Sequence, residues 1–258
     1  MSLITAYPLI TSLLILSASI LVLCYSGERF VRAASDLAHH LRIPALYIGT
    51  LVVGFATSLP EIFVTLVATQ QGNSKIAVGN ALGSYIANIG MVLGATAIIK
   101  PLKISMAVLR KELPILAAAL TCCIFLITDG HLSPSDGIVL IALFLAFLAF
   151  TLYTIQTNQQ QLAPYLSAKP PVQVNTVSSL SAAFSWHLLL LLASSYWIVY
   201  AATEIARILH ISQMIIGLTI VAIGTSLPEL VTSVVSVWKD EDDLAMGNIV
   251  GSNIFCIL

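Results

Sequence analysis

The residues best placed to do chemistry are two glutamates, Glu61 and Glu229, each near the middle of a long apolar stretch. A carboxylate at the centre of a membrane helix costs about 2.5–3.5 kcal/mol, and such residues usually pair with a partner or line a pathway. No Lys or Arg lies deep in any apolar segment to pair with them. We therefore expect a proton or a bound cation to neutralise each carboxylate.

Each glutamate follows a proline within the string Thr-Ser-Leu-Pro-Glu. The proline removes the hydrogen bond to the carbonyl four residues earlier, at Ala56 or Gly224. A threonine four residues before each glutamate shares its helix face. Carbonyl, hydroxyl and carboxylate oxygens are the hard ligands that Ca²⁺ prefers, although a proline kink without a bound ion is the alternative. The predicted metal ligands are Glu61, Glu229, Thr57 and Thr225.

A polar stripe with a spacing of four residues follows each of these strings. Glycines at the same spacing would let the helix approach its neighbour closely, so a packing face of small residues is the alternative interpretation. Next to the glutamate string, the stripe is predicted to form the second wall of a site. It consists of Asn80, Ser84 and Asn88 in the first half and Asn248, Ser252 and Cys256 in the second.

These features occur twice because the chain contains an internal repeat. A shift of 168 residues, from Glu61 to Glu229, aligns the halves without a gap, and 17 of 48 positions are identical between Ile43–Gly90 and Ile211–Leu258. Five predicted helices separate the copies, so the second copy enters the membrane in the opposite direction. Inverted repeats of this kind mark secondary transporters, which bind substrate near the midplane.

The elements that must position these residues are membrane helices. Of the 258 residues, 58% are hydrophobic and 9% charged, against roughly 25% charged in a soluble domain. Long charge-free runs supply the roughly 20 apolar residues that a spanning helix needs. The fold class is therefore an all-α integral membrane protein. The predicted apolar segments are 7–26, 43–70, 76–99, 113–128, 137–155, 184–203, 212–238 and 244–258.

Basic residues predict the orientation, since nine of the eleven Lys and Arg fall in cytoplasmic loops if the N-terminus is outside. A Gln-, Ser- and Pro-rich stretch at 156–181 is the predicted cytoplasmic linker. It separates a first repeat, 1–155, from a second, 182–258. The segment 244–258 would form about 22 Å of helix, less than the roughly 30 Å hydrocarbon core, so we expect the second repeat to be truncated in its third helix.

The remaining residues exclude other classes of function. The net charge of −1 indicates no nucleic-acid partner. The four cysteines lie in or beside apolar segments without CxxC spacing, which is typical of buried thiols. No nucleophile–base pair or metal triad shares a face, so the chain is not expected to be an enzyme or to need a cofactor. His39-His40 is interpreted as a surface pair in a loop, and Asp36 and Glu204 as partners of Arg32 and Arg207.

The Thr-Ser-Leu-Pro-Glu string followed by Gly-Asn-x-x-Gly-Ser, present in two inverted copies, resembles the calcium/cation antiporter superfamily of sodium/calcium exchangers. Its bacterial inner-membrane members are the most similar in length and layout. The resemblance implies a multi-pass protein of the cell (inner) membrane, built on a plan of ten helices in two groups of five. The second, third, seventh and eighth helices would form the ion-binding core.

The resemblance also implies a set of site residues. Glu61 and Glu229 would be the paired central carboxylates, surrounded by hydroxyl, amide and carbonyl oxygens. Family members usually carry Asp or Asn at the position of Cys256, and a thiol is a poor ligand for a hard cation. The additional oxygen donors that the family pattern implies are Thr57, Ser58, Thr225, Ser226, Ser84, Asn88 and Ser252.

The expected function is secondary active transport, in which Ca²⁺ is exchanged for Na⁺ by alternating access around the paired glutamates. One Ca²⁺ or several Na⁺ ions would neutralise the same carboxylates, so the ions compete for one site in the bilayer. One alternative is an antiporter of H⁺ and Ca²⁺ or of other cations, since a membrane carboxylate can also carry a proton. The other alternative is a truncated fragment that does not transport ions.

Overall fold

The structure of the chain, a computed structural model, describes residues 3–72, 74–106, 108–157, 177–211 and 222–258. All the regular secondary structure in these ranges is helical. This confirms the all-α fold class, and the order of helices follows the apolar segments of the sequence.

The helices of the first half include one sharp bend, of 45° between Ala45–Thr57 and Leu59–Gln70. Three helices in this half contain or follow a π-helical turn, at Gly49–Val53, Asn88–Leu93 and Val108–Glu112. The helices are α1 (Leu3–Leu41), α2 (Ala45–Thr57), α3 (Leu59–Gln70), α4 (Ser74–Ala87), α5 (Gly94–Ile99), α6 (Leu113–Ile127) and α7 (Pro134–Thr157).

The second half repeats the long first helix and the broken second helix. Its helices are α8 (Val177–Ile208), α9 (Ala222–Thr225), α10 (Leu227–Trp238) and α11 (Asp242–Ile257). Since α7 reaches Thr157 and α8 begins at Val177, both helices extend into the predicted linker, whose residues 158–176 lie outside the described ranges. The first part of the predicted segment 212–238 lies outside them as well.

Several helices are long enough to cross a membrane. Within the described ranges, four helices have sufficient length and hydropathy, and the bent pair formed by α2 and α3 adds a fifth if it is counted as one span. The chain is therefore a multi-pass membrane protein. The four single spans are Pro8–Leu41, Ala77–Ile99, Pro134–Thr157 and Val177–Ile208.

The first helix is longer than the sequence predicted, because α1 continues to Leu41 where a loop was expected after residue 26. The charged residues of this stretch occupy one face, while Phe30, Val31, Ala34 and Ala38 form a buried stripe on another. Phe30 packs on Phe184 of α8 with ring centroids 4.7 Å apart. The prediction missed an amphipathic continuation, and it was wrong to place His39 and His40 in a loop.

Helix α11 lies at the centre of the molecule, and most of its residues are buried. It crosses α2 at backbone contact because glycines line both helices. A Cβ added to Gly49 would lie 2.6 Å from the carbonyl oxygen of Leu244, and one added to Gly54 would lie 2.9 Å from the Ser252 nitrogen. Gly247 and Gly251 face α2 in the same way, as the spacing of the glycines predicted. At Gly79 and Gly83 no described atom lies within 4 Å of an added Cβ, so the predicted close approach is wrong for the first copy. The two repeats therefore meet along α2 and α11.

Candidate cation-binding site

Both broken helices are interrupted at the same position of the repeat. Ser58 (φ −82°, ψ 4°) separates α2 from α3, and Ser226 (φ −89°, ψ 7°) separates α9 from α10. Pro60 and Pro228 then fall in the first turn of the next helix, where the missing N–H leaves no helical hydrogen bond unmade. The predicted backbone interruption at the prolines is therefore present in both copies.

The breaks place each glutamate in the first turn of a helix, Glu61 in α3 and Glu229 in α10. A helix N-terminus carries a partial positive charge that stabilises a nearby carboxylate. Both side chains are buried, with 2% and 0% of their surfaces exposed. The fold thus buries two acidic groups, each at the positive end of a helix dipole.

The serines at the breaks bond to the glutamates of the opposite repeat. The Ser58 hydroxyl donates to Glu229 Oε1 over 3.1 Å, and the Ser226 hydroxyl donates to Glu61 Oε1 over 3.3 Å. The threonines that precede these serines, Thr57 and Thr225, also approach the carboxylate of the opposite copy. Each half of the site is therefore completed by the other half.

An asparagine on the following helix fixes the backbone at each glutamate. Asn80 Nδ2 donates to the Glu61 carbonyl oxygen and to Thr65 Oγ1, both over 2.9 Å. Asn248 Nδ2 does the same in the second copy, over 3.3 Å to the Glu229 carbonyl oxygen and 2.9 Å to Ser233 Oγ. The asparagines thus position the glutamates.

Sequence reasoning missed Thr65 and Ser233 as partners in this arrangement. Both hydroxyl residues lie four positions after a glutamate and align at the shift of 168 residues. The signal available in the sequence was that a hydroxyl residue recurs at this position of both repeats. Its partner could not be identified from the sequence, because the sequence does not give the position of the next helix.

Further polar contacts cross between the repeats at the same depth. Thr57 Oγ1 lies 3.1 Å from Asn248 Oδ1, and Asn88 Nδ2 donates to Ser252 Oγ over 3.4 Å. Ser84 is buried one helical turn before Asn88. The structure thus buries every oxygen donor that the family pattern implied, and it brings donors from both copies together.

The electrostatics of this site are unbalanced. Across the described ranges, no Lys or Arg forms an ion pair with Glu61 or Glu229. In each glutamate Oε2 is buried and has no hydrogen-bond partner among the described residues. An isolated buried carboxylate is strongly disfavoured unless it is protonated or coordinated. The arrangement is therefore chemically suited to receive positive charge.

Charged or thiol side chains alone do not make a metal site here. Within the described part of the chain, no three His, Cys, Asp or Glu side chains converge to hold a metal ion. A cation between the two glutamates would therefore draw further ligands from hydroxyl, amide and carbonyl oxygens. Ca²⁺ and Na⁺ accept such neutral oxygens, and Ca²⁺ takes six to eight oxygen ligands in flexible geometry.

One of the two carbonyls that precede the helix breaks, at Ala56 and Gly224, has a partner that the sequence did not predict. The Gly224 carbonyl oxygen accepts a hydrogen bond from Ser195 Oγ over 2.6 Å. Ser195 lies in α8, and the residue aligned with it in the first repeat is Gly27, which has no hydroxyl. The two repeats therefore differ at this carbonyl, although their strings of residues are identical.

The outer charged residues follow the predictions in part. Glu204 pairs with Arg207 as expected. Arg32 instead pairs with Glu28, at 3.7 Å between Nη2 and Oε1, so the predicted partnership with Asp36 was wrong. Glu28 precedes Arg32 by four residues, which is the favoured orientation for an ion pair on a helix.

Comparison with known protein families matches nearly the whole chain to one family. The sequence model of the family described as "Sodium/calcium exchanger protein" matches residues 11–153 and 179–258. These two ranges contain every residue of the site described above.

Individual relatives and a solved structure agree with this match. The putative antiporter CaxA of Alkalimonas amylolytica is 39% identical over 242 residues, which cover 93% of this chain and 75% of the relative. The inner membrane protein YrbG of Escherichia coli is 40% identical over 253 residues, covering 97% and 77%. A structure of the sodium-calcium exchanger NCX_Mj superposes with a TM-score of 0.82 at 31% identity, covering 96% of this chain and 80% of that one.

Proposed function

Since the chain belongs to the sodium/calcium exchanger family, we propose that it is a secondary active transporter that exchanges Ca²⁺ for Na⁺ by alternating access around Glu61 and Glu229. The observation that carries this proposal is the reciprocal bonding of Ser58 to Glu229 and of Ser226 to Glu61. It joins two buried carboxylates from inverted repeats in one site.

The chemistry of the site fits a divalent cation. One Ca²⁺ would neutralise both carboxylates, while hydroxyl and carbonyl oxygens would complete its coordination. Several Na⁺ ions in neighbouring subsites would provide the same neutralisation. The proposed ligands beyond Glu61 and Glu229 are Thr57, Ser58, Ser84, Asn88, Thr225, Ser226 and Ser252.

Exchange follows from competition at a shared site. Removing all cations would leave two uncompensated charges in a low-dielectric environment, which is costly. The change between states open to either side is therefore favourable only when ions occupy the site. Coupling of this kind lets the gradient of Na⁺ drive the transport of Ca²⁺.

The proposed arrangement in the membrane follows the sequence analysis. The N-terminus would be outside, and the repeats 1–155 and 182–258 would be joined by a cytoplasmic linker at 156–181. Placement in a bacterial inner membrane is supported by the name of the Escherichia coli relative. The names of other relatives, such as the sodium/calcium exchanger MaX1 of Methanosarcina acetivorans, support Na⁺ and Ca²⁺ as the exchanged ions.

A second candidate is exchange of Ca²⁺ for H⁺. The Oε2 atoms of Glu61 and Glu229 favour it, because they are buried without a partner among the described residues and each could accept a proton instead of Na⁺. In vesicles, Ca²⁺ uptake driven by a pH gradient and indifferent to Na⁺ would support this candidate over the first.

The test of the proposed function is Ca²⁺ uptake into vesicles containing the purified full chain. Vesicles loaded with Na⁺ and diluted into a Na⁺-free medium should accumulate Ca²⁺. The variants Glu61→Gln and Glu229→Gln, alone and together, should abolish this uptake, because each removes a charge that the cation neutralises.

A matched control comes from another buried glutamate. Glu112 is 2% exposed and lies in the π-helical turn before α6, outside the proposed site. Glu112→Gln changes the same chemical group and should retain uptake. The site assignment is wrong if uptake survives the double substitution of Glu61 and Glu229, or if Glu112→Gln abolishes it equally.

A further inference from the structure

A cavity of about 270 Å³ lies between α1 and α8, the long first helices of the two repeats. None of its lining residues belongs to the proposed cation site, so it is a separate feature of the fold. Its polar lining consists of Arg29, Arg32 and Asp36 from α1 and of Ser179 and His187 from α8.

Aromatic contacts hold the two helices together beside this cavity. Phe30 packs on Phe184 with ring centroids 4.7 Å apart. The edge of one ring meets the face of the other where Tyr25 contacts His187, with 6.1 Å between centroids and 71° between planes. Both walls are therefore regular helices fixed by packing, and the polar side chains are presented from a defined surface.

Arg29 brings a positive charge to the cavity that no described carboxylate neutralises in an ion pair. The ion pairs of the described ranges do not include it, and its guanidinium carbon lies 5.5 Å from the centre of the Tyr25 ring. Arg32, the second arginine of the lining, pairs with Glu28 over 3.7 Å. With Asp36 as the acidic residue of the lining, the two arginines leave the cavity positively charged.

His187 adds a hydrogen-bonding atom that the described residues do not use. Its Nδ1 is buried and has no hydrogen-bond partner among them. Buried polar atoms nearly always have a partner, and a protonated ring nitrogen would donate to an oxygen of a ligand in the cavity. Two guanidinium groups and an imidazole are donors that suit the oxygens of a phosphate group.

The face of α1 that carries the arginines continues toward the middle of the membrane as an apolar surface. Leu21 and Tyr25 precede Arg29 by eight and four residues, so they share its helix face. They are 72% and 53% exposed. Trp186, next to His187 on α8, is 57% exposed, and Trp and Tyr are enriched where headgroups meet hydrocarbon. The basic cavity therefore lies beside a surface suited to acyl chains.

We propose that the cavity between α1 and α8 binds the headgroup phosphate of an anionic phospholipid, whose acyl chains lie along the exposed apolar face of α1. Basic pockets between membrane helices on the cytoplasmic side bind anionic headgroups, and both lining segments face the cytoplasm in the proposed orientation. Inorganic phosphate offers the same oxygens, but it would leave Leu21 and Tyr25 without a partner.

A lipid in this position would connect the two repeats. Arg29 and Arg32 belong to the first repeat, while His187 belongs to the second, so one headgroup would contact both. A ligand that binds the folded chain and not the unfolded chain stabilises it in proportion to the logarithm of its concentration. Anionic lipid should therefore raise the thermal stability of the protein.

The first experiment measures the thermal unfolding midpoint of the purified full chain in detergent as phosphatidylglycerol is added. The midpoint should rise, and it should rise less with phosphatidylcholine, which has the same phosphate group but no net charge. Inorganic phosphate at equal concentration should have little effect. Equal stabilisation by the two lipids would overturn the proposal, and equal stabilisation by inorganic phosphate would overturn a lipid as the occupant.

The second experiment tests the residues of the cavity. Arg29→Gln should raise the apparent dissociation constant for phosphatidylglycerol about fivefold or more, the scale of one basic side chain at an anionic surface. His187→Phe keeps an aromatic ring against Tyr25 and removes Nδ1, so it should weaken lipid binding as well. Arg110→Gln is the matched control, because Arg110 is exposed and does not line the cavity.

The pattern across these variants decides whether the cavity is a site. Equal weakening by Arg29→Gln and Arg110→Gln would show that the lipid responds to total charge alone. An unchanged dissociation constant in both Arg29→Gln and His187→Phe would place the lipid elsewhere. Either result overturns this inference and leaves Na⁺-driven Ca²⁺ uptake intact, whereas loss of exchange in the wild-type chain would refute the proposed function without affecting lipid binding.

Discussion

Ser58 donates a hydrogen bond to Glu229 across 171 positions of sequence, with 3.1 Å between Oγ and Oε1. The inverse contact, from Ser226 to Glu61, spans 3.3 Å. Each helix break therefore carries both a carboxylate and the hydroxyl that bonds to the carboxylate of the other repeat. A change in the relative position of the repeats would alter both halves of the site together.

Removing either serine hydroxyl should weaken Ca²⁺ binding. Ser58→Ala and Ser226→Ala each delete a hydrogen bond to a charged group, a type that contributes about 1.5–3 kcal/mol. We expect a rise of about tenfold or more in the dissociation constant for Ca²⁺, measured by calorimetry on the purified protein. Ser17→Ala, which removes only an exposed bond to the Leu13 carbonyl, should have no effect.

A double substitution tests whether the serine acts through the glutamate of the opposite copy. In a Glu229→Gln background, Ser58→Ala should weaken the remaining Ca²⁺ binding less than it does in the wild-type chain. Independent losses of equal size in the two backgrounds would show that the contact between Ser58 and Glu229 does not affect binding.

Asn248 should be important for stability. It is fully buried, and Asn248→Ala leaves the Glu229 carbonyl and Ser233 Oγ without their donor. Loss of a buried hydrogen-bonding group costs about 1–3 kcal/mol. We expect a lower thermal unfolding midpoint in detergent.

The control for this substitution is another buried asparagine of α11. The amide of Asn253 donates to the Ile249 carbonyl of its own helix over 2.6 Å, so it does not connect two helices. Asn253→Ala should therefore lower the midpoint less than Asn248→Ala. The reverse order would contradict a positioning role for Asn248.

The contact between α2 and α11 should not tolerate a methyl group. A Cβ on Gly247 would lie 2.8 Å from the Thr50 nitrogen and 2.9 Å from the Gly49 Cα. Forcing extra atoms into a packed interface typically costs about 1–3 kcal/mol. Gly247→Ala should lower both the unfolding midpoint and Ca²⁺ uptake.

Gly137 in α7 provides the comparison, because no described atom lies within 4 Å of a Cβ added there. Gly137→Ala should leave the midpoint unchanged or raise it, since alanine favours the helix by about 1 kcal/mol over glycine. Equal destabilisation by the two substitutions would mean that helix propensity or the membrane, and not the crossing of the repeats, accounts for the loss.

Lys100 should contribute to attachment of the repeats at the ends of the helices. Its Nζ donates to the Val237 carbonyl over 2.9 Å and to Asp240 Oδ1 over 2.6 Å. Since Asp240 is mostly exposed, its ion pair contributes little, and the bond to the carbonyl should dominate. Lys100→Ala should cost about 0.5–1.5 kcal/mol of stability, largely independent of salt.

Lys103 is the natural comparison for this prediction, because it lies nearby in sequence and is exposed. Lys103→Ala should leave the denaturation midpoint unchanged. If the loss in Lys100→Ala disappears at high ionic strength, the ion pair to Asp240 would be the larger contribution.

Much of the fold could be predicted from apolar length alone. The bent helix at Ser58 and the short α11 both fall where the sequence placed a proline string and a short apolar segment. The exception was the second part of α1, where Arg29 and Arg32 were taken as loop residues. Charge density alone does not separate a loop from an amphipathic helix whose other face is buried against α8.

The sequence by itself determined the inverted repeat and the types of residue in the site, because identical strings at a constant separation report a duplication. Glu61 and Glu229 could be identified since a carboxylate in an apolar segment is costly wherever that segment packs.

Only the tertiary structure decided which groups meet. Helical spacing assigns Ser58 and Asn80 to faces, but it does not say that Ser58 bonds to Glu229 or that Asn80 bonds to the Glu61 carbonyl. The contact between Ser195 and Gly224 joins one helix to the break in another, and the sequence string at that break is the same in both copies. Such contacts depend on the position and rotation of whole helices, which close packing at glycines such as Gly247 determines and local sequence does not encode.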